Sequence, residues 1–224
     1  PDRYESEGFD RDDMKLPEGH LRMIETVARA NPNTVVVLLC GSVVECPWAD
    51  QVKGILYMGL PGQAGGEAVA DLLYGRVNPS GKLAESWPIA YGDVPSSEIY
   101  GKTADALYQE GVYVGYRYYD KAGVPVRWPF GYGLSYTAFA YSDLTAEGDR
   151  VSVSVKNTGA CAGAEVVQLY IGAPQDGLHR PLRELKGFQK VFLQPGESRT
   201  VTFSLPDRSF ALWQDGWKVP GGTY

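Results

Sequence analysis

The apolar residues of this 224-residue chain follow a different pattern in each half. In the first half, continuous apolar runs such as 34–40 alternate with segments whose apolar residues recur every three or four positions. In the second half apolar and polar residues alternate, as in 151–155 and 201–205. Continuous runs are typical of parallel strands buried on both faces, whereas alternation is typical of strands with one buried face. The chain is therefore predicted to contain two domains of different class.

The first half is predicted to alternate helices with strands. Pro17 and Glu18 open a helix in which Leu21, Ile24 and Ala28 share one face. The further elements expected are a strand over 34–40, a short helix over 48–52, a strand over 54–58, a helix over 64–73 and a strand from 83 to 87. Strands joined by helical crossovers predict a largely parallel sheet.

Between residues 88 and 134 the periodicity is lost, and the many aromatic residues there favour an ordered, irregular connection. Beyond it, strands around 151–155, 165–171, 185–193 and 201–205 are separated by turn residues. This spacing predicts an antiparallel β-sandwich of immunoglobulin or fibronectin type III style. We place the first domain at 1–134 and the second at 135–224. The last residues indicate a turn entering a further strand, so we expect the second domain to be truncated and the chain to be cut from a larger protein.

Composition and charge exclude several classes of function. The formal net charge of -6 argues against nucleic acid as a partner, because such binding needs clustered Lys and Arg. No apolar run approaches the ~20 residues that span a bilayer, and no signal peptide is visible. Cys40, Cys46 and Cys161 form an odd set without metal-ligand spacing, which favours free thiols and a reducing compartment such as the cytoplasm. The sequence does not otherwise fix where the protein resides.

Three local motifs suggest chemistry but are weak. The glycine-rich stretch 59–66 precedes a helix, as in a phosphate site, but it lacks the P-loop Lys and the dinucleotide fingerprint. A tight strand-to-helix turn is the favoured interpretation. Ser42 lacks the second glycine of a nucleophile elbow, and His20 and His179 fall in different halves. We therefore expect no catalytic triad, no metal site and no cofactor.

The stretch 4–11 is the strongest candidate for chemistry, since Glu5, Glu7 and Asp10 are grouped there with an aromatic residue and a glycine. Crowded or desolvated carboxyl groups have raised pKa values, which lets them act as acids near neutral pH. Taken alone, such a cluster is more often a solvated acidic loop.

In combination with other segments, this stretch resembles glycoside hydrolase family 3, the β-glucosidase family. Residues 5–11 resemble the acid/base loop of that family. The similarity continues in order through 35–39, 41–42, 45, 47–49, 62–63, 70–75, 78–88, 111–119, 129–136, 166–170 and 183–188. Essentially the whole chain is covered.

The resemblance implies a three-part enzyme. A (β/α)8 barrel carries an Asp nucleophile, a three-layer α/β/α sandwich domain with a mainly parallel sheet supplies the acid/base, and a fibronectin type III-like β-sandwich follows. Nothing in this chain resembles the barrel, so it would hold the later part of the sandwich domain and most of the last domain. We expect such a portion to be inactive alone and to act, with the barrel, on a β-glucoside or gluco-oligosaccharide.

Within the loop, the family motif places the acid directly before the glycine and so selects Glu7 over Glu5. Phe9 is a candidate for lining the sugar site, although packing beneath the loop is an equal alternative. Arg11 would favour ionisation of nearby carboxyl groups unless it pairs with Asp10. Specificity for xylosides or another exo-glucosidase specificity stays open. So do two other classes, a non-catalytic carbohydrate-binding or interaction module and a flavodoxin-like nucleotide binder.

Overall fold

The computed structural model describes Gly8 and residues 11–102, 104–175 and 177–224. These residues divide into two compact units. Unit 1 consists of the described residues of Pro1–Leu73, Trp87–Gln109 and Pro125–Trp128, and unit 2 of those of Tyr74–Ser86, Glu110–Val124 and Pro129–Tyr224. Each unit combines segments that are distant in sequence. The division of the chain at residue 134 stays a prediction.

The helices of unit 1 begin and end close to the predicted positions. Helix α1 spans Glu18–Ala30 and follows Pro17, whose fixed φ suits a helix start. Its apolar face is buried at Ile24 and Ala28, as the spacing of these residues predicts. Helix α2 spans Gly65–Leu73. Two 3₁₀ turns, Ala49–Gln51 and Tyr91–Asp93, complete the helical elements described in this unit.

The strands of unit 1 form two small sheets of opposite type. Strands β1 (Val35–Leu38) and β2 (Gly54–Tyr57) pair in parallel, with Val35 opposite Gly54 and Leu38 opposite Tyr57. Strand β3 (Trp87–Pro88) pairs antiparallel with β4 (Val126–Trp128). The expected strand from 83 to 87 is therefore wrong for residues 83–86, which form loop and bend. Leu83 instead exchanges backbone hydrogen bonds with Gly131 and Tyr132, each 2.8 Å long.

The core of unit 1 is centred on two fully buried tryptophans. Trp48 is 0% and Trp87 is 1% exposed. Trp87 packs edge-on against Tyr57 and Trp128, with ring centroids 5.1 Å and 5.4 Å away. The core also contains Met14, Ile24, Ala28, Leu38, Cys40, Val44 and Cys46. Trp87 thus ties the parallel strand pair to the antiparallel one.

Unit 2 contains an antiparallel β-sandwich. One sheet has the order β5-β6-β9, formed by Phe139–Glu147, Arg150–Asn157 and Ser198–Ser204. The other pairs β7 (Gly163–Ile171) with β8 (Glu184–Leu193). The buried side chains between them are Val155, Val167, Val191, Leu193 and Val201. Apolar and polar residues therefore alternate along β6 and β9 because each strand has one buried face, as the sequence indicated.

A helix, a short hairpin and the 3₁₀ turn Asp207–Ser209 are further elements described in unit 2. Helix α3 (Tyr116–Ala122) falls in the stretch expected to be irregular, so that expectation is wrong for these seven residues. It lies beside β8, because the Leu185 backbone N–H donates to the Tyr116 hydroxyl at 2.8 Å. Near the C-terminal end a short hairpin pairs β10 (Leu212–Trp213) with β11 (Trp217–Lys218).

Candidate acid/base site

The structure describes the chain that follows the candidate catalytic residues, but not those residues themselves. Glu7, Glu5 and Phe9 lie outside the described residues, so their predicted roles stay predictions. Gly8 is described and exposed, and the chain is described continuously from Arg11 to residue 102. The structure therefore defines how the segment that follows Glu7 is attached to unit 1.

The first point of attachment is the side chain of Arg11. Its Nη1 donates a 2.7 Å hydrogen bond to Ser42 Oγ, and the Val43 carbonyl oxygen lies 3.5 Å from the same nitrogen. Both acceptors belong to the loop 39–48, which we call the β1 loop because it follows strand β1 directly. Between Glu7 and Arg11 there are only three residues. Their Cα atoms are therefore at most about 14 Å apart.

The second point of attachment is Met14. Its side chain is buried, and its carbonyl oxygen accepts a 2.7 Å hydrogen bond from the Glu45 backbone N–H in the β1 loop. The Glu45 carboxylate in turn accepts a 2.9 Å hydrogen bond from the Tyr91 backbone N–H. Glu45 thus has a structural role in the described chain.

The β1 loop itself is fixed from beneath. The Trp87 indole N–H donates a 2.6 Å hydrogen bond to the Val44 carbonyl oxygen, and both residues are buried. Behind Trp128, Arg127 forms an ion pair of 2.7 Å with Asp50. Arg11 and Met14 are therefore anchored on a well-packed part of unit 1, in the loop at the carboxyl end of β1. In α/β proteins ligands commonly bind at the carboxyl ends of parallel strands.

Two described carboxyl groups have shifted pKa values. Desolvation raises the pKa of Glu85, although the residue as a whole is exposed. The pKa of Glu197 is lowered, first by the Gln194 backbone N–H and then by Arg199. Glu85 belongs to unit 2 and is not part of the site described above. It serves below as a control carboxyl group.

The glycine-rich stretch 59–66 is a tight turn between β2 and α2, as favoured from the sequence. Gly59 and Gly62 have φ values of 59° and 69°. A Cβ on Gly65 would lie 2.6 Å from the Pro61 ring, so this position has no room for a side chain. Local geometry thus accounts for three of the glycines without a phosphate ligand.

The remaining candidates have ordinary structural partners. Ser42 Oγ accepts the Arg11 hydrogen bond. The His179 ring packs edge-on against Tyr113 at 4.7 Å, and His20 belongs to the other unit. Among the residues that the structure describes, no three His, Cys, Asp or Glu side chains are grouped as metal ligands. None of the described helices has the length and hydropathy needed to cross a membrane.

The described chain thus combines a mixed α/β unit with an antiparallel β-sandwich unit. The profile of the glycosyl hydrolase family 3 C-terminal domain matches residues 1–116, and that of a fibronectin type III-like domain matches residues 165–224. The chain belongs to glycoside hydrolase family 3. This confirms the family indicated by the sequence motifs and the expected combination of fold classes.

Named relatives are glycosidases of greater length. Thermostable beta-glucosidase B of Acetivibrio thermocellus is 50% identical over 236 residues, which cover 100% of this chain and 31% of that protein. An exo-alpha-(1->6)-L-arabinopyranosidase of Bifidobacterium breve is 47% identical, with coverages of 100% and 31%. The crystal structure of a family 3 β-glucosidase from Bifidobacterium adolescentis matches with a TM-score of 0.92 at 45% identity, covering 97% of this chain and 34% of that one. The chain spans about a third of the length of these relatives.

Sequence reasoning missed the contact that anchors the candidate segment. Arg11 was weighed only against its neighbour Asp10, yet its described partner Ser42 lies 31 positions away. Ser42 appeared among the matching residues of the family without a role. A serine and an arginine at such separation leave no local pattern, so only the three-dimensional structure pairs them.

Proposed function

We propose that this chain is the C-terminal portion of a retaining β-glucosidase and that Glu7 is its general acid/base. The observation that carries the proposal is the attachment of the segment after Glu7 to the carboxyl end of β1, through Arg11 and Met14, in a chain of family 3. The nucleophile is an Asp on a (β/α)8 barrel that belongs to the same polypeptide and lies outside this chain. Relatives about three times as long leave room for such a domain.

Retaining hydrolysis needs two carboxyl groups about 5–5.5 Å apart. In the first step the Asp carboxylate attacks the anomeric carbon, Glu7 gives its proton to the glycosidic oxygen, and the aglycone leaves as an alcohol. In the second step the Glu7 carboxylate takes a proton from water. The water oxygen attacks the anomeric carbon and the bond to Asp breaks. Each step leaves Glu7 in the state that the next one requires.

The demand on Glu7 is a pKa near the working pH, which requires desolvation or nearby negative charge. Glu5 and Asp10 are close enough in sequence to supply charge, and Phe9 is the candidate in the same stretch for excluding water or contacting the sugar. The Arg11 guanidinium, which would oppose a raised pKa, has described acceptors in Ser42 and Val43. Two neutral acceptors direct this guanidinium toward the β1 loop.

The test uses the full-length enzyme and two classes of glucoside. For Glu7→Gln we expect kcat/KM on an alkyl glucoside or cellobiose to fall by about 10²–10⁴-fold. On a dinitrophenyl glucoside kcat/KM should change little, because this leaving group departs without a proton. In Glu7→Ala, azide should restore turnover by attacking the glycosyl-enzyme without base assistance.

Two matched variants test the choice of carboxyl group. Glu5→Gln changes the competing residue in the same loop, and Glu85→Gln changes a described carboxyl with a raised pKa. Neither should produce the dependence on leaving group. Equal losses on both substrate classes for Glu7→Gln, or the dependence appearing only in Glu5→Gln, would reject the assignment. The isolated chain should show no turnover, since it lacks the nucleophile.

The sugar that is hydrolysed is a separate part of the proposal. One relative is named an arabinopyranosidase and another a β-glucosidase at similar identity, so the shared C-terminal portion does not discriminate between sugars. A panel of aryl β-glucoside, β-xyloside and α-L-arabinopyranoside decides the point. The highest kcat/KM should be on the glucoside. A tenfold preference for another sugar, ~1.4 kcal/mol, would replace glucose in the proposal.

A second candidate function is carbohydrate binding by the β10–β11 hairpin. Trp213 and Trp217 are paired across this hairpin with their rings edge-on, 5.3 Å between centroids, and are 63% and 54% exposed. Arg208 lies over the Trp217 ring, which leaves Trp213 as the more open of the two. Exposed indole rings offer apolar faces to pyranose rings. Titrating the isolated chain with glucose and cellobiose tests it: saturable binding that is lost in Trp213→Ala would favour a binding module.

A further inference from the structure

The contact between Arg11 and Ser42 fixes the described chain at a point four residues after Glu7. Arg11 is partly buried, and its Nη1 lies 2.7 Å from Ser42 Oγ and 3.5 Å from the Val43 carbonyl oxygen. A surface arginine of the same unit, Arg22, forms a 3.9 Å ion pair with Glu18, and its side chain is 72% exposed. The two arginines therefore differ in how firmly they are held.

The acceptors of Arg11 are themselves fixed. Ser42 and Val43 precede Val44, whose carbonyl oxygen receives the Trp87 indole N–H at 2.6 Å. Trp87 is 1% exposed and packs against aromatic rings of both sheets of unit 1. Arg11 is thus attached to a rigid part of the fold, whereas Gly8, three residues earlier, is exposed. Four peptide units separate Glu7 from the Arg11 anchor in the sequence.

We propose that Arg11 and Ser42 are positioning residues that hold Glu7 in line with the glycosidic oxygen. The proposal rests on the proposed function of Glu7 and deepens it. Proton donation requires the carboxyl group within hydrogen-bond distance of that oxygen, so a displacement of about 1 Å reduces its contribution. The hydrogen bond to Ser42 restricts Arg11 through a neutral acceptor.

A positioning role makes a prediction that a purely structural role does not. If the loop shifts, only the reaction that depends on proton donation should suffer. In the full-length enzyme, Ser42→Ala and Arg11→Met should reduce kcat/KM for an alkyl glucoside by about 10–100-fold. For the dinitrophenyl glucoside the reduction should stay within about twofold, because its leaving group needs no acid.

Three controls accompany these variants. Ser42→Thr keeps a hydroxyl acceptor and should retain more activity on the alkyl glucoside than Ser42→Ala. Arg22→Met removes a surface arginine of the same unit and should change neither rate constant. In a Glu7→Gln background, Ser42→Ala should reduce kcat/KM on the alkyl glucoside by less than about twofold, since no acid remains to be displaced.

The outcomes separate this inference from the proposed function. If Glu7→Gln discriminates between the substrates but Ser42→Ala and Arg11→Met do not, the positioning role is overturned. The assignment of Glu7 as the acid/base would then still stand. Equal losses on both substrates in Ser42→Ala would indicate a structural role and also overturn it. If Glu7→Gln itself fails to discriminate, both proposals fall. Ser42→Ala is the decisive variant, because it removes one oxygen and leaves Arg11 in place.

Discussion

The ammonium group of Lys82 lies 3.2 Å from the Glu165 carboxylate, and the two side chains are only 15% and 12% exposed. Lys82 Nζ also donates a 2.7 Å hydrogen bond to the Gly133 carbonyl oxygen. The Tyr141 hydroxyl donates to the other side of the pair, at 3.2 Å from Glu165 Oε1. Lys82 and Glu165 are thus the centre of a polar cluster that joins two loop residues, Lys82 and Gly133, to strands β5 and β7 of unit 2.

Breaking this pair from one side should destabilise the protein. Lys82→Met leaves the Glu165 carboxylate poorly solvated, so we expect the free energy of unfolding to fall by about 2–4 kcal/mol. The double variant Lys82→Met/Glu165→Gln should lose less than the sum of the single variants, because no unpaired charge remains. Urea unfolding monitored by circular dichroism measures both quantities.

The matched control is an exposed ion pair of the same kind. Lys102 and Glu98 lie 3.8 Å apart with side chains 59% and 88% exposed, so Lys102→Met should change the unfolding free energy by less than about 0.5 kcal/mol. Additive effects of the Lys82 and Glu165 substitutions would show that burial does not couple the two charges.

Asn157 is the second site at which stability should depend on one side chain. It is 0% exposed, and its Oδ1 accepts from Thr137 Oγ1 at 2.6 Å and from the Gly159 N–H at 3.1 Å. Its Nδ2 donates to the Cys161 and Leu193 carbonyl oxygens at 2.9 Å and 3.0 Å. Asn157→Ala leaves these buried partners unsatisfied, and we expect a loss of about 2–4 kcal/mol in unfolding free energy.

Asn157→Asp provides a sharper test of the same network. The carboxylate can still accept the hydrogen bonds from Thr137 and Gly159, but it has no N–H to donate to the Cys161 and Leu193 carbonyl oxygens. This variant should therefore be least stable at neutral pH. Protonation restores one donor, and burial beside two carbonyl oxygens raises the pKa of this carboxyl above that of an unfolded Asp. The deficit should therefore shrink as pH falls from neutral toward the usual Asp pKa and change no further below it. The exposed Asn33→Ala is the control and should be neutral. A deficit in Asn157→Asp that does not vary with pH would contradict this account.

Elements with a local cause could be predicted from the sequence, and elements held by distant contacts could not. The apolar run 35–38 and the helical spacing of Ile24 and Ala28 act within a few residues. Helix α3 has no such pattern, because Asp120 is held by Arg183 through bonds of 2.7 Å and 3.1 Å across 63 positions. Strand β5 was missed because most of its residues are exposed, so neither face has a regular apolar pattern.

The candidate site divides in the same way. The acidic segment was found by residue type and by resemblance, since Glu7 directly precedes a glycine in a family motif. The Arg11–Ser42 contact spans 31 positions and pairs two residue types that occur together for many reasons. A sequence pattern can therefore single out a candidate acid, whereas a contact between distant residues is seen only in the folded chain.

The buried Cys46 thiol should make the free energy of unfolding depend on pH. Burial first, and then Cys40, raise the pKa of the Cys46 thiol to about 12, opposed by Arg127 and Trp87. Because the unfolded thiol ionises near 8.5–9, its contribution to stability is fully present below that pH and is lost as pH rises toward 12. The unfolding free energy of the wild type should therefore fall between pH 9 and 11 more steeply than that of Cys46→Ala, by up to about 1.4 kcal/mol per pH unit.

The comparison of slopes isolates this thiol, since the other groups that titrate in the same range are present in both proteins. Cys161→Ala is the control, because Cys161 is exposed and its removal should leave the slope unchanged. In the native protein at pH 8, a thiol reagent should modify Cys161 and spare Cys46. Rapid modification of Cys46, or equal slopes in all three proteins, would contradict a raised pKa.

A substitution at Gly8 should affect the reaction without affecting the stability of the fold. A Cβ built on Gly8 meets no heavy atom of the described chain within 4 Å, whereas one on Gly133 would overlap the Gly81 carbonyl oxygen. In the full-length enzyme, Gly8→Ala should change stability by less than about 1 kcal/mol, and Gly133→Ala should lower it by at least about 2 kcal/mol.

If Glu7 acts on the sugar, the methyl group of Gly8→Ala intrudes where the substrate approaches. Its KM for an aryl glucoside should then rise about tenfold while the melting temperature stays constant, as ~1.4 kcal/mol of lost binding implies. A fall in melting temperature with unchanged KM would instead assign Gly8 to the fold.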